Sequence, residues 1–159
     1  MEASACTINF LINAVTLSTT EALSQPAILG FDPGRQKCGL AIMGLDRTLR
    51  YQEVVTADAA LNCIQSLRQQ YPISIIVMGN QTTSAAWKER LTGLPDAPRV
   101  MLVDERYSTL EARDRYWQMY PPRGMGRLLP QSLRKIPRPI DDIVAILLIE
   151  RYLNRLTSN

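Results

Sequence analysis

The sequence predicts a mixed five-stranded α/β sheet covered by helices. Three apolar runs near the front are separated by only a few residues each, as strands joined by hairpins are. Two later strand-like runs alternate with helical stretches, as parallel βα units do. With 159 residues, 46% apolar and 21% charged, the chain is long and apolar enough for one domain with a real core.

The elements can be justified in order. Residues 1–26 have a short apolar middle and no positively charged lead, so they make a poor signal peptide and read as a disordered or loosely attached extension. Residues 27–159 read as a single domain. "AILGFD" is a buried strand stopped by Pro33-Gly34, "KCGLAIMG" a second strand, and "LRYQEVV" a third with partial alternation. A helix is expected over 58–70, with Leu61, Ile64, Leu67 and Tyr71 on one side and Pro72 ending it. "ISIIVMG" is β-branched and apolar, like a parallel strand buried on both faces. A helix around 84–91 precedes the strand "RVMLVDE". "STLE" then sets Ser108 and Glu111 at capping-box spacing, and the helix it opens carries Leu110, Tyr116 and Trp117. Pro121 and Pro122 stop that helix. A basic loop leads to the last helix, from Asp141 to about Leu156.

Composition excludes several chemistries. There is no histidine, which removes Ser-His-Asp, Cys-His and HExxH mechanisms. Cys6, Cys38 and Cys63 form no CxxC pair, so neither a zinc ribbon nor a disulfide framework is indicated, and a reducing cytoplasm fits best. No apolar stretch approaches the roughly 18 residues a bilayer span needs. The net charge of +3 is unevenly spread. No Lys or Arg precedes Arg35, whereas residues 121–140 hold Arg123, Arg127, Arg134, Lys135 and Arg138 and no acid.

Any chemistry must therefore come from carboxylates, from Lys, Arg, Tyr, Ser or Cys, or from a hard metal held by oxygen. Asp32 ends the first strand, where Asp-Pro-Gly is also ordinary turn chemistry. Glu105 follows the last strand in a charged "DER" loop. Asp141 and Asp142 open the last helix, where Asp also serves as a cap and complements the dipole. Open α/β sheets form sites beyond the carboxyl ends of their strands, and there Asp32, Glu105 and Asp141 can converge. Such a cluster suits Mg²⁺ or Mn²⁺ and would repel itself without a cation. Adjacent helical residues point about 100° apart, so Asp141 is the expected ligand, and Asp142 is expected to assist through the first-turn amides or a bridging water.

"ILGFDPGRQKCGLA", "VDERYSTLEA" and "PIDDIVAILLIERYL" together resemble the three signature segments of the YqgF/RuvX family. The resemblance spans about 27–156. It implies an RNase H-like fold, kinship with the RuvC Holliday-junction resolvases, and acidic site residues at Asp32, Glu105 and Asp141. Gly34 and Gly39 match the family's first hairpin; Arg106, Ser108 and Thr109 match its "ER-ST" segment. Gln36 stands where the family usually has lysine, and "MGNQTTSAAW" departs from its usual loop. Arg138 occupies a place where RuvC resolvases tend to carry another side chain of the site, which favours YqgF.

The expected activity is two-metal phosphodiester hydrolysis, with ions about 3.5–4 Å apart. Asp32 would bridge both ions, and Glu105 and Asp141 would each hold one. Arg35, Lys37 and Arg106, with the cations of the basic loop, are the expected phosphate contacts. Tyr107 could stack on an unpaired base, whereas Trp87 and Tyr116 suit the core. The resemblance implies 5′-end maturation of pre-16S rRNA in ribosome biogenesis. It thus favours RNA and ribosomal precursor particles as partners, with the protein a monomer or weak homodimer. Alternatives are a Holliday-junction resolvase-like DNA endonuclease and a non-catalytic nucleic-acid-binding module. An actin-like sugar kinase is a remote rival, since "DPGRQKCG" also resembles a first phosphate loop but no second such loop follows.

Overall fold

The structure is a computed structural model that describes residues 25–81 and 83–158. The expected extension lies outside the described residues as far as residue 24. Strands β1 (Ala27–Asp32), β2 (Lys37–Gly44) and β3 (Leu49–Thr56) come first. They are followed by α1 (Ala60–Gln70), β4 (Ile73–Gly79), α2 (Ser84–Thr92), β5 (Arg99–Val103) and α3 (Ser108–Met119). Two 3-10 turns, Gly124–Leu128 and Gln131–Leu133, precede α4 (Asp141–Thr157).

The strand order is β3-β2-β1-β4-β5. β1 pairs antiparallel with β2 and parallel with β4, so the mixed five-stranded sheet expected from the sequence forms around β1. Successive side chains of a strand face opposite ways. Ile28, Ala41, Met43 and Val77 therefore join α3 and α4 in one core, while Leu29, Phe31, Leu40, Ile42 and Met78 join α1 and α2 in the other. Trp87 and Tyr116 are both core residues, as expected, at 5% and 7% exposure.

Helix α4 is apolar nearly all round and buried from Asp142 to Ile149, which makes it an interior helix rather than a surface one. It lies so close to the sheet that only glycine fits beneath its first turn. A Cβ at Gly39 would collide with the Asp141 carbonyl. Among the described residues, no helix is long and apolar enough to cross a membrane.

Two local expectations are corrected. The capping box of α3 does not form. Ser108 is already helical, and Tyr107 before it is left-handed at φ 60° with no side-chain cap bond. Glu111 instead pairs with Arg151 of α4 at 2.9 Å, a long-range partner that no local spacing could reveal. β4 is buried on both faces only in its second half, Ile76–Gly79.

Gly39→Ala should cost about 3 kcal/mol, the upper end for overpacking, because the obstacle is backbone rather than a side chain that can turn away. Urea denaturation should show the loss, and an unchanged midpoint would mean α4 is not seated this tightly.

Candidate active site

Asp32 ends β1 on the face that Ile28 turns toward α4. Its neighbours across the sheet on that face are glycines. Gly39 is its register partner on β2, and Gly79 ends the adjoining strand β4. Glu105 lies two residues beyond β5, and a Cβ at Gly79 would strike its carboxylate. The two glycines thus leave the space that the acidic side chains occupy. A glycine closing an otherwise apolar strand is the sequence signal for Gly79, which sequence reasoning passed over.

Asp32 and Glu105 meet as an acid pair. Burial, then the hydrogen bond to Glu105 and its charge, then the charge of Asp141, push the Asp32 pKa up to about 8. A carboxyl group shifted this far favours its protonated form at neutral pH. Glu105 is 6% exposed, and its Oε2 is buried with no hydrogen-bond partner. Asp141, half-buried in the first turn of α4, is near enough to act on Asp32.

An all-oxygen donor set, an unsatisfied buried carboxylate oxygen and a carboxyl group held protonated by its neighbours all fit a hard divalent cation. As the side chains stand, however, no three His, Cys, Asp or Glu residues among those described are arranged to hold a metal. Burial and the charges of Glu105 and Asp141 favour a proton on Asp32, and a cation would have to displace it.

The loop that carries Glu105 is clamped from α4. Arg151 donates to the carbonyls of Asp104 at 2.5 Å and Arg106 at 2.8 Å, on either side of Glu105, and to Glu111 at 2.9 Å. Nothing in the sequence singled out Arg151, because its partners are brought to it by the fold. On the opposite side, Thr83 donates to the Pro33 carbonyl at 3.0 Å and ties the loop after β4 to the turn after Asp32.

Asp142 has a different partner from the one expected. It is 3% exposed, and Arg138 donates to its two oxygens at 2.9 and 3.1 Å. Burial opposes the Arg138 charge, but Asp142 and then Tyr120 more than offset it and raise its pKa. The guanidinium also lies over Tyr116 and Tyr120, at 5.6 and 5.5 Å from their ring centres. Arg138 is therefore engaged within the fold. So is Arg134, which donates to Leu129 O at 2.9 Å and to Arg127 O at 3.4 Å. Arg35, Lys37, Arg106, Arg123, Arg127 and Lys135 are exposed, the first three beside the carboxylates in sequence. Tyr107 is 75% exposed next to Arg106.

Removing Arg138 would leave Asp142 buried and unpaired, so Arg138→Ala should cost about 3 kcal/mol and lower the thermal midpoint by roughly 6–12 °C. A neutral effect on melting would show that the pair contributes nothing to the fold. Asp32 gives a pH dependence of opposite sense to an ordinary salt-bridged acid. Its folded pKa exceeds the unfolded value of 3.8, so its contribution is full below that value and lost as pH rises through about 8. In EDTA at pH 8, Asp32→Asn should melt roughly 5 °C or more above the wild type, and the two should converge toward pH 4. Parallel melting curves at both pH values would remove the acid pair from the account.

No family model matches the sequence, and no curated protein matches it. Among solved structures, the chain is similar to Thermus thermophilus RuvC in complex with a Holliday junction substrate. Identity is 18%, the match covers 83% of this chain and 96% of that one, and the TM-score is 0.50. A second Thermus thermophilus RuvC structure matches at 16% identity over 82% of this chain and 96% of that chain, with a TM-score of 0.46. At such identities the likeness is one of fold: the protein has an RNase H-like fold, a mixed five-stranded sheet flanked by helices.

Proposed function

We infer that the protein is a divalent-metal-dependent nuclease that hydrolyses phosphodiester bonds. The observation that carries this reading is the buried Asp32–Glu105 pair, with Asp141 beside it, at the carboxyl edge of an RNase H-like sheet. A functional site is where carboxyl groups are kept together against their own repulsion.

Asp32, Glu105 and Asp141 would hold Mg²⁺ or Mn²⁺, and a bound cation would supply an activated water and neutralise charge developing on the phosphate. Asp32 would give up its proton to become a ligand. Arg151 would keep Glu105 in place by gripping the carbonyls on both sides of it. Arg35, Lys37 and Arg106 are exposed beside these carboxylates in sequence and suit phosphate oxygens. With two such ions, Asp32, Glu105 and Asp141 would share in holding them, one ion supplying the activated water and the other stabilising the leaving oxygen. In that form Asp142 has no ligand role, since Arg138 already occupies its carboxylate.

The substrate favoured by that resemblance is RNA, with pre-16S rRNA 5′-end processing on precursor particles in the cytoplasm as the setting. A second reading, cleavage of junction DNA, has its support in the fold shared with a RuvC solved on a Holliday junction. It requires a symmetric dimer, so a monomer at working concentration would count against it.

Single-stranded, duplex and junction RNAs and DNAs should be offered with Mg²⁺, Mn²⁺ or EDTA. Cleavage should require the cation and fall at least ~100-fold in Asp32→Asn and in Asp141→Asn, more than the loss of a group that merely orients a ligand. Asp142→Asn should retain most activity per folded molecule. Cutting that survives EDTA would sink the metal mechanism, and a wild-type rate in Asp32→Asn would leave only a binding module.

A further inference from the structure

The basic loop contains a cavity that the carboxylate site does not account for. It is about 730 Å³ and is lined by Tyr120, Pro121, Pro122, Arg123, Arg127 and Arg134 at the end of α3 and the first 3-10 turn. No residue of the carboxylate cluster takes part. Three guanidinium groups border one space with no acid among the lining residues. Such charges repel each other unless an anion lies between them.

The cations of this segment divide by what they already hold. Arg138 is neutralised by Asp142. Arg134 binds two backbone carbonyls and sits over Trp117 at 5.8 Å, so it shapes the loop while making no ion pair among the described residues. Arg123 and Arg127 make no side-chain hydrogen bond or ion pair among the described residues and are exposed. The nearby carboxylate of Asp114 accepts from Gln131 at 2.7 Å and lines a different cavity, beyond Arg134.

Size and walls narrow the ligand. A lone phosphate would leave most of the space empty, whereas pockets of about 300–1,000 Å³ take whole small molecules. The Tyr120 ring and the two prolines offer an apolar wall beside the guanidinium groups, and planar guanidinium forks suit phosphate oxygens. The Tyr120 hydroxyl accepts from Gln52 at 3.1 Å, which fixes the ring. Tyr120 also lies under Arg138, whose partner Asp142 adjoins Asp141. One side-chain relay therefore separates the cavity from the carboxylates.

We propose that the cavity bordered by Arg123, Arg127 and Arg134 is a second subsite that seats one nucleotide unit of a bound strand by its phosphate. The proposal rests on the nuclease reading in one respect, that the strand held here is the one cut at Asp32, Glu105 and Asp141.

The test is binding rather than cleavage. The full chain is titrated in EDTA with a labelled single-stranded RNA of about 12 nucleotides, within the span such grooves cover. Salt is varied between about 50 and 200 mM. The Arg123→Ala/Arg127→Ala double variant should bind roughly tenfold or more weakly. Its slope of log affinity against log salt should fall by about 1.4, the value for two lost phosphate contacts on a single strand. Arg127→Glu should weaken binding further, and Arg123→Lys/Arg127→Lys should recover much of it. Circular dichroism should give all three the wild-type melting curve, because the altered side chains hold nothing in the fold. Lys88→Ala/Arg155→Ala, which removes two exposed cations elsewhere, should leave affinity and slope nearly unchanged. Wild-type affinity and slope in Arg123→Ala/Arg127→Ala would overturn the subsite alone. An equal loss in the Lys88/Arg155 pair would overturn it too, by reducing the effect to net charge. A wild-type protein that binds no strand at all would overturn the nuclease reading with it.

Discussion

Helix α4 runs buried from Asp142 to Ile149 between the sheet and α3, and the position of its first turn decides what the rest of the molecule can do. Each Ile or Leu it buries contributes about 2 kcal/mol, and several lie on this one helix. That sum exceeds the several kcal/mol needed to bury one carboxylate, provided the carboxylate is paired. Asp142 satisfies the condition through Arg138. The same packing sets the Asp141 backbone directly against Gly39, the register partner of Asp32. Hydrophobic burial thus presses an acidic helix end onto an acidic strand end.

The electrostatic consequence is a site out of balance when only protein groups fill it. Asp32 relieves its burial and the charges of Glu105 and Asp141 by keeping a proton. Glu105 keeps an oxygen without a partner. A proton is the least demanding way to relieve that repulsion, and a divalent cation relieves more of it. On the nuclease reading, taking up a cation would release that proton, so affinity would rise with pH.

The arginines show how little charge alone says about role. Arg151, Arg138 and Arg134 are committed to carbonyls, a buried carboxylate and aromatic rings. Arg123 and Arg127 come from the same basic segment and remain available. A count of cations along the chain treats all five alike. The difference appears only when partners distant in sequence, such as Asp104 for Arg151, are in place.

Sequence alone determined the element order, the central strand "AILGFD" and the three carboxylates at element ends, because apolar periodicity and turn residues are local signals. The missing histidine likewise removed every histidine-based mechanism with no structure at all. It could not decide how α3 begins. "STLE" satisfied a local capping rule, but Arg151, forty residues on, takes Glu111 away from it. Nor could it separate Asp141 from Asp142 beyond their angle on the helix, because the ring of contacts that holds Arg138 over Tyr116 and Tyr120 is assembled from three elements. Tertiary structure also decided that the Asp32 pKa is raised, since a pKa depends on burial and on charges that only folding brings near.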